Sequence, residues 1–204
     1  MINQSSTKLS SKKIGILASH NGSGFQTIKN ACDKSILNAQ VVLVISNNSS
    51  SKALKTAEEM NIPNFIVNDK IYPNDNIDEK IAKLFKQYGC DYIFCSGYMK
   101  IIGSKLISFF EEKIINTHPA LLPSIYGGKG MYGRFVHEAI IKNNEKKSGV
   151  TIHFVNEKYD DGKIILKKEL ELSKNETVDT LENKIKDLEN QAIIEAFKNL
   201  LAWS

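Results

Sequence analysis

Cysteine is scarce in this chain, which has three cysteines in 204 residues. Cys32, Cys90 and Cys95 are odd in number, and no two of them have the Cys-x-x-Cys spacing of a zinc or redox site. The four histidines also lack a His-x-x-x-His or comparable ligand spacing. We therefore expect reduced thiols in a cytoplasmic protein and no metal site.

Arginine is almost absent, since Arg134 is the only one. The net charge is +4, and the basic residues are interleaved with acidic ones, so no basic stripe for nucleic acid and no polybasic patch for a membrane is present. No uncharged segment approaches the length of a membrane span. The composition favours small-molecule substrates, one of which could be anionic, and we expect a monomer or homodimer.

The chain also lacks a linker rich in Pro, Gly or Ser, and at 42% hydrophobic it can build one substantial core. We therefore predict a single domain over residues 13–204. Residues 1–12 are polar and rich in Ser and Lys, without the apolar run of a signal peptide. They are predicted to form a disordered tail, with a short organellar address as the alternative.

Apolar runs typical of buried strands occur at residues 14–18, 41–45, 65–67 and 92–95, and segments with helical spacing separate them. Strands that alternate with helices imply right-handed crossovers and a mostly parallel, twisted sheet with helices on both faces. The sequence therefore predicts an α/β fold. Ligands of such sheets bind beyond the carboxyl ends of the strands, which is where we expect the site.

The second half of the chain changes period. Residues 150–154 alternate between apolar and polar side chains, and a second apolar run follows at residues 164–166. This pattern predicts a mixed or antiparallel C-terminal extension of the sheet, with His153 packed in the core. The loop between the two strands contains Asp160-Asp161-Gly162, and Asp-Gly is a common turn pair, so one of these aspartates could serve only the turn.

A polar tip ends the apolar strand that begins at Ile114. Residues two apart on a strand point to the same face, so the side chains of Asn116 and His118 are expected to project side by side. Pro119 has no N–H to donate and ends the strand. The alternative is that Asn116 starts a turn and His118 only packs or caps.

Two glycine-rich segments are further candidates for function. Gly22-Ser23-Gly24 lies between a strand and a helix, where backbone N–H groups can bind a phosphate. A dinucleotide fingerprint would need glycine at Thr27, so a single phosphate fits better than a nicotinamide cofactor, and a plain turn is the alternative. Residues 127–133 contain four glycines, which is typical of a mobile active-site flap or of an ordinary surface loop.

Two helices follow in the second half of the chain. Residues 135–143 are predicted to form a helix with His137 on its surface, and we assign no function to that histidine. Residues 178–203 carry one apolar stripe with helical spacing, and Lys186 and Glu189 lie close to its edge.

Four motifs occur together, in order and with consistent gaps: Asn21-Gly22-Ser23-Gly24, Gly97-Tyr98-Met99-Lys100-Ile101, Asn116-Thr117-His118-Pro119-Ala120-Leu121-Leu122-Pro123, and His153-Phe154-Val155 through Tyr159-Asp160-Asp161-Gly162. Together they resemble the phosphoribosylglycinamide formyltransferases, and the resemblance covers nearly all of the chain from residue 13. It implies a Rossmann-like domain that transfers a formyl group from 10-formyltetrahydrofolate to the amine of glycinamide ribonucleotide in purine synthesis.

The resemblance also implies roles for individual residues. Residues Gly22, Ser23 and Gly24 would hold the substrate phosphate, with Gly24 at a position where Asn is usual, and Lys186 and Glu189 would reach the ribose and phosphate. Residues Met99, Lys100, Ile101 and Ile102, together with Asn116, would line the folate pocket, with Lys100 where Arg is common.

The chemistry is assigned by the same resemblance to Asn116, His118 and Asp160. Asn116 and His118 would stabilise the developing oxyanion, and Asp160 would support the imidazolium by raising the pKa of His118. Asp161 is the second choice for that carboxylate.

Three competing functions stay open at this point. Methionyl-tRNA and sugar formyltransferases share an Asn-x-His-Pro-like core but usually carry an extra domain or a different loop. Formyltetrahydrofolate hydrolases typically add an N-terminal regulatory domain, for which twelve residues leave no room. A non-catalytic nucleotide-binding module is the third alternative.

Overall fold

The computed structural model describes residues 11–202. Most of the predicted disordered tail, residues 1–10, therefore lies outside the described residues, as does Trp203 at the predicted end of the last helix. The last residue of that predicted tail, Lys12, is the first residue of a strand.

Seven strands form one sheet, in the order β3-β2-β1-β4-β5-β6-β7. Strands β1 to β5 run parallel to one another, whereas β6 pairs antiparallel with both β5 and β7, as predicted. The strands are β1 (Lys12–Ala18), β2 (Ala39–Ser46), β3 (Asn64–Ile66), β4 (Tyr92–Ser96), β5 (Ile114–His118), β6 (Lys147–Phe154) and β7 (Ile164–Glu171).

Strand β7 is longer than its apolar run at 164–166 indicates. Lys167, Glu169 and Glu171 are exposed, while the residues between them are half-buried against the rest of the molecule. This alternation is expected of an outermost strand with one solvated face. Because charged residues occupy the exposed positions, the second half of β7 contains no apolar run from which it could be predicted.

Helices cover both faces of the sheet. The helices are α1 (Ser23–Asp33), α2 (Lys52–Glu59), α3 (Ile77–Gln87), α4 (Ser104–Phe109), α5 (Arg134–Lys142) and α6 (Val178–Ala202). Helices α1, α2, α5 and α6 share one apolar core with the sheet, whereas α3 and α4 share the other. In the first core, Phe94 of β4 meets Phe197 of α6 edge to face, with ring centroids 5.7 Å apart.

The strand order reverses between β1 and β4, so the loops after these two strands diverge and leave a crevice at the carboxyl ends. Two hydrogen bonds connect the two loops, and a third connects α1 to the end of β4. Ser19 N–H donates to the Gly97 carbonyl at 3.2 Å, Met99 N–H donates to Ser19 Oγ at 2.8 Å, and Phe25 N–H donates to Ser96 Oγ at 3.0 Å. The two walls of the crevice are thereby fixed to each other.

Two further findings concern membrane-spanning helices and the cysteines. In the described part of the chain, no helix is both long and apolar enough to cross a membrane. The three cysteines are free thiols, and burial, which is the main cause, raises the pKa of Cys90 and Cys95 to about 12.

Candidate active site

One cavity of about 860 Å³ opens at the carboxyl ends of β1, β4 and β5. Side chains from the loops after these strands and from α5 and α6 form its wall. The structure brings together here all of the site residues proposed from the sequence, namely Gly22, Ser23, Gly24, Met99, Lys100, Ile101, Ile102, Asn116, His118, Asp160, Lys186 and Glu189.

The end of β5 supplies two of these side chains. Strand β5 lies inside the sheet and ends at His118, directly before Pro119. Asn116 and His118 both line the cavity, as the two-residue period predicts. Only 3% of His118 is exposed, and its Nε2 lies 2.7 Å from the carbonyl oxygen of Tyr126. Because a carbonyl oxygen can only accept, Nε2 carries a proton in this contact.

The carboxylate of Asp160 lies between two histidines. Its Oδ2 is 3.4 Å from Nδ1 of His118, and its Oδ1 is 3.6 Å from Nε2 of His153. Oδ2 also accepts a hydrogen bond of 2.8 Å from the N–H of Gly128. By contrast, Asp161 is exposed, and its carboxylate lies 3.9 Å from Lys158 Nζ.

The backbone around Asp160 is constrained. Asp160 has a φ of 53°, in the left-handed region that few residues with a side chain adopt and that Asp tolerates better than most. Two residues later, a Cβ on Gly162 would overlap the backbone carbonyl of Phe154. The Asp161-Gly162 turn and the Asp160 carboxylate that contacts His118 are therefore parts of one loop conformation.

The charge state of this pair is set by opposing effects. Burial would raise the pKa of Asp160, but His153, His118 and the Gly128 N–H together hold it below its usual value. Burial is also the largest influence on His118 and lowers its pKa, although Asp160 and the Tyr126 carbonyl act in the opposite direction. The lowered pKa of His118 contradicts the raised value that we expected, because the site is drier than a motif can indicate.

His153 has a larger part in the site than the packed core position that we predicted. Its ring is 2% exposed, and its Nδ1 donates to the carbonyl of Phe154 at 2.8 Å. Its Nε2 then accepts from Nδ2 of Asn116 at 3.2 Å. The buried position of His153 confirms the predicted core histidine, and its hydrogen bond with the Asn116 amide adds a contact to the site that the prediction did not include.

The segment Gly22-Ser23-Gly24 begins α1. Gly22 has a φ of 66° and precedes the first helical residue, and no side chain caps this helix. Ser23 and Gly24 of the first turn line the cavity, and the positive end of the helix lies at its wall. A Cβ on Gly24 would lie 2.7 Å from Cε1 of Phe94 and 3.2 Å from Cδ1 of Ile193, so this glycine allows α1 to pack closely on β4 and α6.

Helix α6 contributes charged groups on the same side. Lys186 Nζ donates to Glu182 Oε1 at 2.8 Å. Burial is the main cause that raises the pKa of Glu189, although Lys186 acts against it. Oγ1 of Thr117 is itself buried and has no hydrogen-bond partner among the described residues.

The loop after β4 supplies an apolar wall. Met99 and Ile101 are 46% and 59% exposed, although both line the cavity, and Ile102 is buried in the core shared with α3 and α4. Lys100 is exposed beside them. Exposed apolar side chains in a concave site are typical of a surface that an apolar ligand covers.

The glycine-rich loop and α5 form the remaining wall. Gly128, Gly130 and Gly133 have positive φ values, and the loop lines the cavity, which fits the predicted flap; its closure stays a prediction. His137 is only 3% exposed and lines the same cavity, so the predicted surface position is wrong. The helix turns this face of α5 toward α6 and not toward solvent.

Residues 12–197, which include all the residues that line the cavity, match one family model, which is described as formyl transferase. The chain belongs to the formyl transferase family. It is 34% identical over 186 residues to the chloroplastic phosphoribosylglycinamide formyltransferase of Arabidopsis thaliana, an alignment that covers 90% of this chain. It is 31% identical over 191 residues to the phosphoribosylglycinamide formyltransferase of Bacillus subtilis, covering 93% of this chain and 95% of that protein.

A solved structure has the same fold. The glycinamide ribonucleotide transformylase 1 of Symbiobacterium toebii superimposes on this formyl transferase with a TM-score of 0.86 at 26% identity, covering 96% of this chain and 90% of that one. The Rossmann-like α/β architecture with its antiparallel extension is thereby confirmed. The chain spans 63% of the length of the Arabidopsis relative.

Two features of this formyl transferase could not be read from its motifs. The partner of His118 Nε2 is a backbone carbonyl, which has no sequence signal, and the partners of His153 come from β5 and from the loop before β7.

Within residues 11–202, no group of three or more His, Cys, Asp or Glu side chains is arranged to hold a metal ion.

Proposed function

We propose that this formyl transferase moves a formyl group from 10-formyltetrahydrofolate to the primary amine of glycinamide ribonucleotide, giving formylglycinamide ribonucleotide and tetrahydrofolate in de novo purine synthesis. The observation that carries the proposal is the grouping of Asn116, His118 and Asp160 in a cavity that also contains the N-terminus of α1. The proposal is supported by the Arabidopsis and Bacillus relatives, which align with most of this chain and are both named phosphoribosylglycinamide formyltransferase.

Glycinamide ribonucleotide would bind along α1 and α6. The phosphate would accept hydrogen bonds from the backbone at Gly22, Ser23 and Gly24, where the helix adds its partial positive charge. Lys186 would add a full charge after exchanging Glu182 for the phosphate, and Glu189 would reach the ribose hydroxyls. In this arrangement the amine end would lie toward His118.

The folate would bind against the loop after β4. Met99, Ile101 and Ile102 offer the apolar surface that a flat ring system covers, and Lys100 offers a charge for an acidic tail. Lys cannot reproduce the planar two-point grip of an Arg on a carboxylate, so we expect a weaker hold on that tail. Bound here, the folate supplies the formyl group; we propose no metal.

The protein groups would act on the charge that develops during transfer. The acceptor nitrogen forms a bond to the formyl carbon, and the bond from that carbon to the folate nitrogen breaks. Asn116 Nδ2 and His118 would donate hydrogen bonds to the carbonyl oxygen as it becomes negative. The amine must lose one proton and the leaving nitrogen must gain one. His118, as an imidazolium, would give its Nε2 proton to the leaving nitrogen, and the neutral imidazole would then take up the proton from the amine.

His118 is prepared for this role by its contact with Tyr126. The proton on Nε2 is directed at a carbonyl oxygen, and a formyl oxygen is an acceptor of the same kind. Asp160 faces the opposite nitrogen and would stabilise the imidazolium when it forms. Burial keeps the imidazole mostly neutral until then, because it lowers the pKa of His118.

Purified protein should release deformylated folate, followed by its absorbance, only when glycinamide ribonucleotide is present, and mass spectrometry should detect the formylated product. Release with water as the only acceptor would indicate a hydrolase instead. Folate binding by calorimetry without any release would indicate a binding module. The cytoplasmic location and the monomeric or dimeric state stay predictions.

A further inference from the structure

His137 is a buried histidine for which the residues around it provide no complete set of partners. It lies in the first turns of α5 with 3% of its surface exposed, and its Nδ1 is enclosed without a hydrogen-bond partner among the described residues. A buried core histidine normally has its ring nitrogens satisfied. His137 also lines the cavity, and its other ring nitrogen, Nε2, is not enclosed and has no hydrogen-bond partner among residues 11–202, so a ligand in the cavity can reach it.

The enclosed nitrogen determines what the ring can offer. An N–H buried without an acceptor is rarer in proteins than an acceptor without a donor, so the favoured neutral form leaves the lone pair on Nδ1 and the proton on Nε2. Because Nδ1 is shut off, the ring meets the cavity by the opposite edge, which carries Nε2. His137 thus presents a hydrogen-bond donor to the cavity.

The groups that face His137 are His118, Arg134, Glu182 and Lys186. Glu182 is the only acid of the four, and it is already engaged by Lys186 Nζ at 2.8 Å and by Arg134 Nη1 at 3.2 Å. His118 and Lys186, the proposed catalytic and phosphate-binding residues, are therefore both close enough to His137 to influence its charge, and no side chain of residues 11–202 accepts a hydrogen bond from it.

We propose that His137 is a substrate-binding residue that donates through Nε2–H to an oxygen of glycinamide ribonucleotide lying between its phosphate and its reacting amine, on the ribose or on the amide that joins ribose to glycine. The inference rests on the proposed function for the identity of the substrate. It assigns a specificity contact to α5, which otherwise supplies none.

Three variants separate this role from a structural one. In His137→Gln the amide nitrogen can replace Nε2, in His137→Asn a polar atom replaces only the enclosed Nδ1, and His137→Leu has neither. We expect the KM for glycinamide ribonucleotide to rise about tenfold in the Leu and Asn variants, which corresponds to about 1.4 kcal/mol, and to stay near wild type in the Gln variant. The KM for the folate and kcat should change little in all three.

Ser148→Ala is the matched control, because Ser148 Oγ is also buried and unpartnered but is not part of the cavity wall. It should leave both KM values unchanged. The same variants are titrated with inorganic phosphate and with glycinamide ribonucleotide by calorimetry, and only the binding of the nucleotide should weaken.

A wild-type KM for glycinamide ribonucleotide in the Leu and Asn variants overturns the proposal, as does an equal loss of phosphate affinity. If the Leu variant does not fold, the comparison of Gln with Asn decides the question alone. If the wild-type protein transfers no formyl group, the proposed function fails, while calorimetry with the nucleotide still tests His137.

Discussion

Nε2 of His118 lies 2.7 Å from the carbonyl oxygen of Tyr126, so the imidazole at the end of β5 donates a hydrogen bond to the residue directly before the glycine-rich loop. The other side of the ring faces Asp160, whose carboxylate also accepts the N–H of Gly128. The proposed catalytic pair therefore holds both Tyr126 and Gly128. A ligand that accepts the hydrogen bond from His118 Nε2 must displace the carbonyl of Tyr126.

Replacing either oxyanion donor should abolish most turnover. We expect Asn116→Ala and His118→Ala each to reduce kcat by about a hundredfold or more, because a donor aimed at developing charge is lost. Steady-state kinetics measures this, with melting temperature as the control for folding. Near-normal turnover in the His118 variant would contradict its assignment.

The two adjacent aspartates provide a matched pair of variants. Asp160→Asn removes the charge that faces His118, whereas Asp161→Asn removes an exposed charge near Lys158. We expect a large loss of kcat in the first variant and a kcat within about twofold of wild type in the second, since surface ion pairs contribute little. Equal losses in both would show that the loop, and not the carboxylate at 160, matters.

Gly24→Asn should destabilise the protein. The new Cβ would meet the ring of Phe94 at 2.7 Å, and overpacking of a core typically costs about 1–3 kcal/mol. Urea unfolding of this variant beside Ser23→Asn, at an exposed neighbouring position, measures the difference. An unchanged unfolding free energy in Gly24→Asn would mean that α1 can move away from β4 at little cost.

Glu189→Gln should be more stable than the wild type at neutral pH and bind the nucleotide less well. The pKa of Glu189 is raised in the folded protein, so ionising this side chain costs folding free energy, and its contribution is lost as the pH rises through that raised pKa. Unfolding at pH 7.5 and the KM for glycinamide ribonucleotide test the two effects. A less stable variant with unchanged KM would contradict both.

Stability should also fall when the solution is made mildly acidic. Burial lowers the pKa of His118 and of His137, so below the ordinary histidine pKa of about 6.5 the unfolded chain binds more protons than the folded one. The unfolding free energy then decreases as the pH falls from 6.5 toward the lowered values. Denaturation at pH 7.5 and 5.5 measures the loss, which should be smaller in His137→Gln.

The sequence was sufficient for the parts of the molecule that depend on local patterns. The parallel strands are apolar runs, and the two-residue period aligns Asn116 with His118, so both could be predicted. The surroundings of His137 and His153 could not, because the helix face that α5 turns inward and the return of the loop containing Asp160 depend on contacts between distant segments. The lowered pKa of His118 has the same origin, since a motif does not reveal how dry its site will be.

The hydrogen bonds between the loops after β1 and β4 join the phosphate end of the cavity to its folate end. Ser19 accepts a hydrogen bond from the N–H of Met99, and Ser96 at the end of β4 accepts one from the N–H of Phe25 in the first turn of α1. An opening fluctuation that frees one of these amides must disturb the other, so both should exchange with heavy water at similar rates. Nucleotide alone would then slow exchange at Met99, and each substrate would favour binding of the other through these hydrogen bonds, in addition to any direct contact between them.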